Sequence, residues 1–141
     1  MLKTEIIHPD ILKVLAESGH GSQILITDGN FPAFNKTDID AKIVNLNFKQ
    51  DLINSTQALD SLAKMINIEK AELMKPENDK KPDIFKEFKQ ILSLNSLDEF
   101  KYLTRFEFYD QCSNNKDLNL VIVTGETRLY ANILLTIGVI D

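Results

Sequence analysis

Short runs of uninterrupted apolar residues are the clearest feature of the chain, and they alternate with segments whose apolar residues recur every three or four positions. QILIT at residues 23–27 and LNLVIV at residues 118–123 are typical of strands that are covered on both faces. Weaker patterns of the same kind occur in four further segments. The predicted strands cover residues 23–27, 42–47, 68–75, 100–106, 118–125 and 129–140.

The segments with helical spacing carry recognisable start signals. In HPDILKVLAESG, residues 8–19, Pro9 suits the first helical position and Asp10 suits the positive end of the helix dipole. Pro82 and Asp83 form the same start signal, and the residues after them are apolar at helical spacing. The predicted helices cover residues 8–19, 51–68 and 82–94, and residues 106–116 are predicted to form a helical turn.

Because strands and helices alternate, the sequence predicts an α/β fold, a three-layer α/β/α arrangement with a mostly buried central sheet. We expect a single domain over residues 1–141, since the segments on either side of the loop at residues 75–83 look incomplete alone. Ligands of such sheets bind beyond the carboxyl ends of the strands. Asp28, Arg105 and residues 124–126 lie at predicted strand ends and therefore mark a possible site.

Charge and composition narrow the choice of partners. The formal net charge is -5, and an acidic surface repels phosphate backbones and anionic lipids, so we expect neither a nucleic-acid nor a membrane partner. The single cysteine, Cys112, excludes an intrachain disulfide and is expected to be a small core or surface residue. The N-terminal segment lacks the apolar run of a signal peptide, and we expect a cytoplasmic protein.

His20 is the most conspicuous candidate for chemistry, because Gly19 and Gly21 flank it. The glycines let the backbone turn sharply and let a ligand approach closely. An imidazole titrates near neutral pH and can give or take a proton. The plainer interpretation is a loop histidine that faces solvent or bonds a nearby carbonyl group.

Four further residues carry groups that suit a polyhydroxylated ligand. Asp28 can accept strong hydrogen bonds from hydroxyl groups, although Asp-Gly after a strand is also an ordinary turn signal. Arg105 offers several donors in a fixed fork, or is a solvated charge beside an aromatic cluster. Tyr130 and Asn132 flank Ala131 in a segment predicted to be a strand, so their side chains are expected on one face.

Several familiar kinds of site are not supported. The chain contains two histidines, His8 and His20, and one cysteine, so a zinc site built from such ligands is not expected. GHGSQI lacks the third glycine of a dinucleotide fingerprint, and no phosphate-binding loop or nucleophile elbow is present. We therefore expect no metal and no cofactor.

Three separated blocks of sequence together resemble one known family. HPDILKVLAESGHGSQILITDGNFPA, TRFEFYD and VIVTGETRLYANILLTIGV, in this order, are similar to the RbsD/FucU family of sugar mutarotases, and most similar to the FucU branch of L-fucose mutarotases. The blocks lie in residues 1–34 and 100–140, whereas residues 35–99 share only a general helical pattern with the family. Gly29-Asn30 departs from the Ala-His that the fucose branch often carries.

The resemblance implies an RbsD-like fold, no cofactor and a defined set of roles. His20 matches the family's catalytic histidine, and Asp28 matches its substrate-binding aspartate. Arg105 matches the arginine of the fucose branch, where the ribose branch has a histidine. Tyr130, Ala131 and Asn132 match a segment that contacts the sugar. The resemblance further implies a ring-shaped homo-oligomer, with a decamer as one possible size and with sites near subunit interfaces.

The expected activity is the interconversion of α and β anomers of a reducing monosaccharide through ring opening. One group removes the proton of the anomeric hydroxyl while another delivers a proton to the ring oxygen, and His20 is expected to transfer a proton. We expect His20, Asp28 and Arg105 to share one pocket, counting neighbouring subunits. The alternatives are D-ribose pyranase-type activity and a non-catalytic sugar-binding module on the same scaffold.

Overall fold

Six strands and four α-helices make up the computed structural model, which describes residues 1–95, 97 and 100–141. A short 3-10 turn at Ser93–Asn95 follows the third helix. The strands are β1 Gln23–Thr27, β2 Lys42–Asn45, β3 Ile68–Met74, β4 Phe100–Leu103, β5 Leu118–Val123 and β6 Ile133–Ile137. The helices are α1 Pro9–Glu17, α2 Ser55–Ala63, α3 Ile84–Leu92 and α4 Arg105–Ser113.

One mixed sheet with the strand order β2-β5-β1-β6-β3-β4 contains all six of these described strands. β1 and β2 both pair with β5 in parallel, and β3 pairs with β4 in parallel. β6 is antiparallel to its two neighbours, β1 and β3. The other five strands therefore point the same way, and their carboxyl ends share one edge of the sheet, called here the carboxyl edge. β6 begins at that edge and ends at the opposite, amino edge.

The two faces of the sheet are covered by different elements, which confirms the three-layer prediction. Ile24 and Ile26 of β1 pack with the buried stripes of α1, α2 and α3. Leu25, between them, points to the other face and packs with Phe108 and Cys112 of α4 and with the segment after β1. This alternation explains why β1 is apolar at every position except its ends.

Two sequence predictions near the carboxyl edge are wrong. The strand predicted over residues 100–106 ends at Leu103, and a nine-residue helix begins at Arg105 in place of the predicted helical turn. Thr104 causes the break, because its hydroxyl group accepts a hydrogen bond from the backbone N–H of Glu107 at 3.3 Å. This N-cap belongs to the Thr-x-x-Glu pattern that typically starts a helix.

Tyr130 also departs from expectation. It precedes β6 and lies in the left-handed backbone region at a φ of 63°, so it does not share a strand face with Asn132. The predicted segments 42–47, 51–68 and 129–140 likewise form shorter elements than expected. Of the helices within the residues that the structure describes, none has the length and apolar character needed to cross a membrane.

Candidate functional site

Asp28 is the first residue after β1 and is held firmly at the carboxyl edge. Its backbone N–H donates a 2.8 Å hydrogen bond to Oδ1 of Asn132, and Nδ2 of Asn132 donates back to Oδ2 of Asp28 at 3.2 Å. Oδ1 of Asp28 accepts the backbone N–H groups of Asn30 and Phe31, both at 2.9 Å. Asp28 therefore shapes the turn after β1 and links that turn to the start of β6.

The environment of this carboxyl group alters its titration. Asp28 is 3% exposed, and burial raises its pKa above the ordinary value, although the hydrogen bonds from Asn30, Phe31 and Asn132 act in the opposite direction. A partly desolvated acceptor of this kind binds hydroxyl groups more strongly than one in water. The turn interpretation and the ligand-binding interpretation of Asp28 are thus compatible.

Arg105 and Tyr130 line the same cavity, which has a volume of about 450 Å³. Lys75, Glu77 and Asn78 complete its wall. The guanidinium of Arg105 is about half exposed, and its Nη2 lies 3.8 Å from Oε1 of Glu77. Because this loose pair leaves donors of the guanidinium available, Arg105 can still bind a ligand in the cavity.

The topology explains why these groups lie at the same edge of the sheet. From β1 the chain moves to β2 on one side of the sheet and then to β3 on the other, so the strand order reverses around β1 and β6. Crevices at such a reversal, outside the carboxyl ends, are the usual ligand sites of open sheets. Asp28 follows β1, Asn132 precedes β6, and Arg105 follows β4 by two residues.

Ala131 contributes differently from its neighbours. Its side chain is fully buried and packs in the apolar core beneath α1, α2 and α3. The whole residue is 0% exposed, so its backbone is covered too, and within one chain Ala131 offers no surface to a ligand. Ala131 anchors in the core the segment that carries Tyr130 and Asn132.

His20 lies at the other end of β1, in the turn that precedes the strand. β1 has five residues, and at about 3.3 Å per residue it separates His20 from Asp28 by roughly 17 Å or more. The imidazole is exposed at the amino edge, where its Nε2 lies 3.1 Å from both carboxylate oxygens of Glu69. Within one chain, therefore, His20 does not reach the cavity of Arg105 and Tyr130. Asp28 is not among the residues that line that cavity either, so one chain does not bring the three residues into one pocket.

A second cavity of about 450 Å³ at the carboxyl edge involves the third predicted strand end. Its lining residues are Gly29, Asn30, Asn47, Lys49, Gln50 and residues 124–127. Glu126 is 1% exposed at its side chain, and Arg128 donates to it from Nε and Nη2 at 3.0 Å. Burial alone would raise the pKa of Glu126, but the hydrogen bonds and charge of Arg128 outweigh it and lower that pKa. Glu126 thus serves an internal ion pair.

Sequence reasoning missed the residues that line the cavity beside Arg105 and Tyr130, and it missed the partner of His20. Lys75, Glu77 and Asn78 belong to the polar segment that was interpreted only as a surface loop. Glu69 meets His20 across 49 positions of sequence. Nothing in the sequence singles Glu69 out, because Lys70 and Glu72 in the same strand are charged as well.

Other candidate chemistry is accounted for by structure. Cys112 is buried in the core, and this burial raises the pKa of its thiol to about 12, which makes it unreactive at neutral pH. In the part of the chain that the structure describes, no three His, Cys, Asp or Glu side chains form a group that could hold a metal ion.

Comparison with known proteins gives a consistent result over the whole chain. A model of the RbsD / FucU transport protein family matches residues 1–140. The L-fucose mutarotase of Histophilus somni (strain 129Pt) is 28% identical, over 94% of this chain and 92% of that protein. The structure of the fucose mutarotase from Streptococcus pneumoniae in complex with L-fucose is 29% identical, with a TM-score of 0.85 and 100% of both chains covered. Bacillus subtilis RbsD complexed with D-ribose is 28% identical, with a TM-score of 0.84 and the same coverage.

Proposed function

The chain belongs to the RbsD/FucU family, and we propose that it is a mutarotase of the fucose branch. It is an isomerase that interconverts the α and β anomers of L-fucose or a closely related reducing monosaccharide. The observation that carries this proposal is the cavity at the carboxyl edge that Arg105 and Tyr130 line. Tyr130 stands two residues before Asn132, whose amide holds Asp28.

The groups at this cavity suit the recognition of a sugar. A monosaccharide presents several hydroxyl groups, each of which both donates and accepts hydrogen bonds. Arg105 and Lys75 offer only donors, the Glu77 carboxylate offers only acceptors, and Tyr130 and Asn78 offer both. Asp28 and Asn132, each 3% exposed, stand at the same edge of the sheet but do not line this cavity. A volume of about 450 Å³ lies in the range of small-molecule sites and accommodates one monosaccharide with water.

His20 acts in this proposal as the group that exchanges a proton with the sugar. Ring opening transfers the proton of the C1 hydroxyl to a base, breaks the bond between C1 and the ring oxygen, and places a proton on that oxygen. C1 becomes a carbonyl carbon, and closure on its other face yields the second anomer. A water molecule can donate the proton to the ring oxygen, and the hydroxide that remains takes that proton back when the ring closes, while the imidazolium returns its proton to the oxygen on C1. One positioned imidazole therefore suffices for acid–base catalysis.

Because β1 separates His20 from the cavity, the proposal requires the imidazole to come from another copy of the chain. Two sets of exposed apolar side chains support such a contact. Val139 and Ile140 are 54% and 92% exposed near the amino edge, and Phe106 and Leu129 are each 65% exposed beside the cavity. Burying these surfaces against each other gives a head-to-tail contact, and a ring forms when the rotation between successive copies adds up to a full turn.

The assignment of His20 is tested by substitution. We expect His20→Ala to lower anomer exchange of L-fucose, measured by saturation-transfer NMR, by about a hundred- to ten-thousand-fold. His8→Ala is the matched control and should keep the wild-type rate. A folded His20→Ala variant with undiminished exchange would remove the assignment. Sugar binding by the wild-type protein without any acceleration would favour the non-catalytic alternative.

The shared site makes a separate prediction about mixed oligomers. At L-fucose concentrations well below KM, His20→Ala and Arg105→Ala subunits are each defective, the first through proton transfer and the second through its raised KM. Co-refolded at equal amounts, they place intact His20 and intact Arg105 together at about one interface in four. We therefore expect the mixture to recover about a quarter of the wild-type rate. A site formed within one chain would show no recovery, and size-exclusion chromatography with light scattering gives the subunit number.

D-ribose pyranase-type activity is the second candidate, and the similarity to RbsD complexed with D-ribose favours it. Arg105 counts against it, because the ribose branch has a histidine at this position. Comparing exchange of L-fucose, D-galactose and D-ribose in the same assay distinguishes the two.

A cytoplasmic location is also part of the proposal, supported by the single, buried cysteine.

A further inference from the structure

Glu69 stands at the amino edge of the sheet, against the imidazole of His20. We propose that Glu69 is a positioning residue that fixes the tautomer and orientation of His20, so that Nδ1 is the ring atom that exchanges a proton with the sugar. This inference rests on the role of His20 in the proposed function and adds a residue and an atom to it.

The contact itself defines which nitrogen carries the hydrogen. Nε2 of His20 is 3.1 Å from Oε1 and 3.1 Å from Oε2 of Glu69. A carboxylate can only accept hydrogen bonds, so the nitrogen that faces it must be an N–H group. In the neutral ring Nδ1 then has the free lone pair. In the part of the chain that is described, Nδ1 makes no hydrogen bond and is open to a ligand.

A β-bulge directs Glu69 toward His20. Ile68 pairs with Ile137 and Lys70 pairs with Thr136, so β3 has one residue more than β6 in this interval, and that residue is Glu69. A bulge bends the strand and turns the side chain away from the regular alternation. Without it, residue 69 would continue the ladder rather than project at the end of the sheet.

Gly138 provides the space that the side chain of Glu69 occupies. A Cβ atom at position 138 would lie 3.2 Å from Cβ of Glu69 and 3.5 Å from its Oε2. The His20 turn is fixed to the same strand, because the N–H of Gly21 donates to the carbonyl oxygen of Ile137 at 2.9 Å. Glu69 and His20 are therefore held relative to each other through the end of β6.

This arrangement has a defined chemical consequence. When Nδ1 takes the C1 hydroxyl proton, the ring becomes an imidazolium whose Nε2–H already bonds a carboxylate. The negative charge of Glu69 stabilises that cation, and the proton returns from Nδ1 when the ring closes. Glu69 neither gains nor loses a proton, so it acts through His20 rather than on the sugar.

The pair contributes little to folding, which makes the proposal testable. The side chains of His20 and Glu69 are 59% and 44% exposed, and exposed ion pairs add little to stability. Glu69→Gln and Glu69→Ala should therefore fold and melt like the wild type. Asp60→Asn, which removes a carboxylate from an exposed ion pair with Lys64 on α2, is the matched control.

The first measurement is the tautomer of His20 by ¹⁵N NMR of the imidazole. The chain has only two histidines, so a His8→Gln variant assigns both rings. We expect the Nε2–H tautomer in the neutral wild-type ring and a mixture of tautomers in Glu69→Ala. An Nδ1–H tautomer in the wild type, or an unchanged tautomer in Glu69→Ala, overturns the proposal whether or not any sugar is turned over.

The second measurement is the exchange rate. We expect Glu69→Gln to lower kcat by about ten- to a hundredfold with little change in KM, and Glu69→Asp to restore part of the loss. Asp60→Asn should match the wild type. If His20→Ala loses exchange while Glu69→Gln and Glu69→Ala keep the wild-type kcat, the role of Glu69 is wrong and the proposed function stands. If His20→Ala keeps exchange, the proposed function fails first.

Discussion

Asn132 holds Asp28 through two hydrogen bonds that run in opposite directions, across 104 positions of sequence. Its Oδ1 accepts the backbone N–H of Asp28, and its Nδ2 donates to the Asp28 carboxylate. One amide thus fixes both the backbone and the side chain of the candidate sugar-binding aspartate. Both residues are buried, so neither group has a replacement partner in solvent.

Replacing this amide should cost stability. We expect Asn132→Leu to lower the free energy of unfolding by roughly 2–4 kcal/mol, because the N–H and Oδ2 of Asp28 both lose a partner in a buried position. Urea unfolding followed by circular dichroism measures the change. Asn119→Ala, which removes a partly buried hydrogen bond to Ser18, is the control and should cost less. Equal losses in the two variants would contradict the two-bond account.

The titration of Asp28 gives a prediction about pH. The ordinary pKa of an aspartate is 3.8, and burial raises the pKa of Asp28 above it in the folded state. At a pH just above 3.8 the folded protein therefore binds more protons than the unfolded chain. Stability from this group therefore falls as the pH rises from about 3.8 through the raised pKa, and is constant above it. In urea titrations at several pH values, wild type should lose stability relative to Asp28→Asn over this window. A constant difference, or a slope of opposite sign, would refute it.

The ion pair of Glu126 with Arg128 should show the reverse dependence. Arg128 lowers the pKa of Glu126 in the folded state, so its contribution is fully present above the ordinary value of 4.5 and is lost as the pH falls through the lowered pKa. At pH 7 we expect Arg128→Met to lower the free energy of unfolding by roughly 2–3 kcal/mol, since the Glu126 carboxylate stays buried without its partner. The loss should shrink in acid. Lys116→Met, which breaks an exposed pair with Asp40, should cost little at any pH.

Arg105 is expected to control the choice of sugar. Arg105→Ala removes the fork of donors from the cavity and should raise KM for L-fucose by about tenfold or more, because a charged hydrogen bond contributes more than 1.4 kcal/mol. Arg105→His brings the residue of the ribose branch and should shift the ratio of kcat/KM values toward D-ribose. Saturation-transfer NMR on both sugars measures this ratio. An unchanged ratio would show that Arg105 does not face the sugar.

Much of the fold was predictable from local patterns, because buried parallel strands such as β1 and β5 have apolar runs that little else produces. The carboxyl-edge position of Asp28 followed from the same pattern. The start of α4 was predictable too, since Thr104 and Glu107 form a capping pattern that the apolar neighbours of Arg105 obscured.

Other features depend on register and could not be seen in local sequence. Glu69 meets His20 only because a bulge shifts β3 against β6, and no local pattern in IEKAELM specifies that shift. The sequence analysis expected His20 and Asp28 in one pocket. The five residues of β1 instead place them at opposite edges of the sheet within one chain, and a lone sequence does not show which neighbouring subunit could bring them together.

Gly138 offers a test of the amino edge that leaves both His20 and Glu69 in place. A methyl group at position 138 would lie 3.2 Å from Cβ of Glu69, closer than an ordinary contact. Rotation of the side chain cannot move Cβ, so the backbone at the bulge must shift by a few tenths of an ångström and carry the carboxylate of Glu69 with it. Gly138→Ala should therefore lower kcat for L-fucose, because Glu69 no longer holds Nε2 of His20, while the protein stays folded with at most a small loss in melting temperature. A double-mutant cycle supplies the control: in a Glu69→Ala background the same substitution should have no further effect on kcat. If Gly138→Ala lowers kcat equally with and without Glu69, the glycine acts on the turn of His20 or on a subunit contact, and not through the carboxylate.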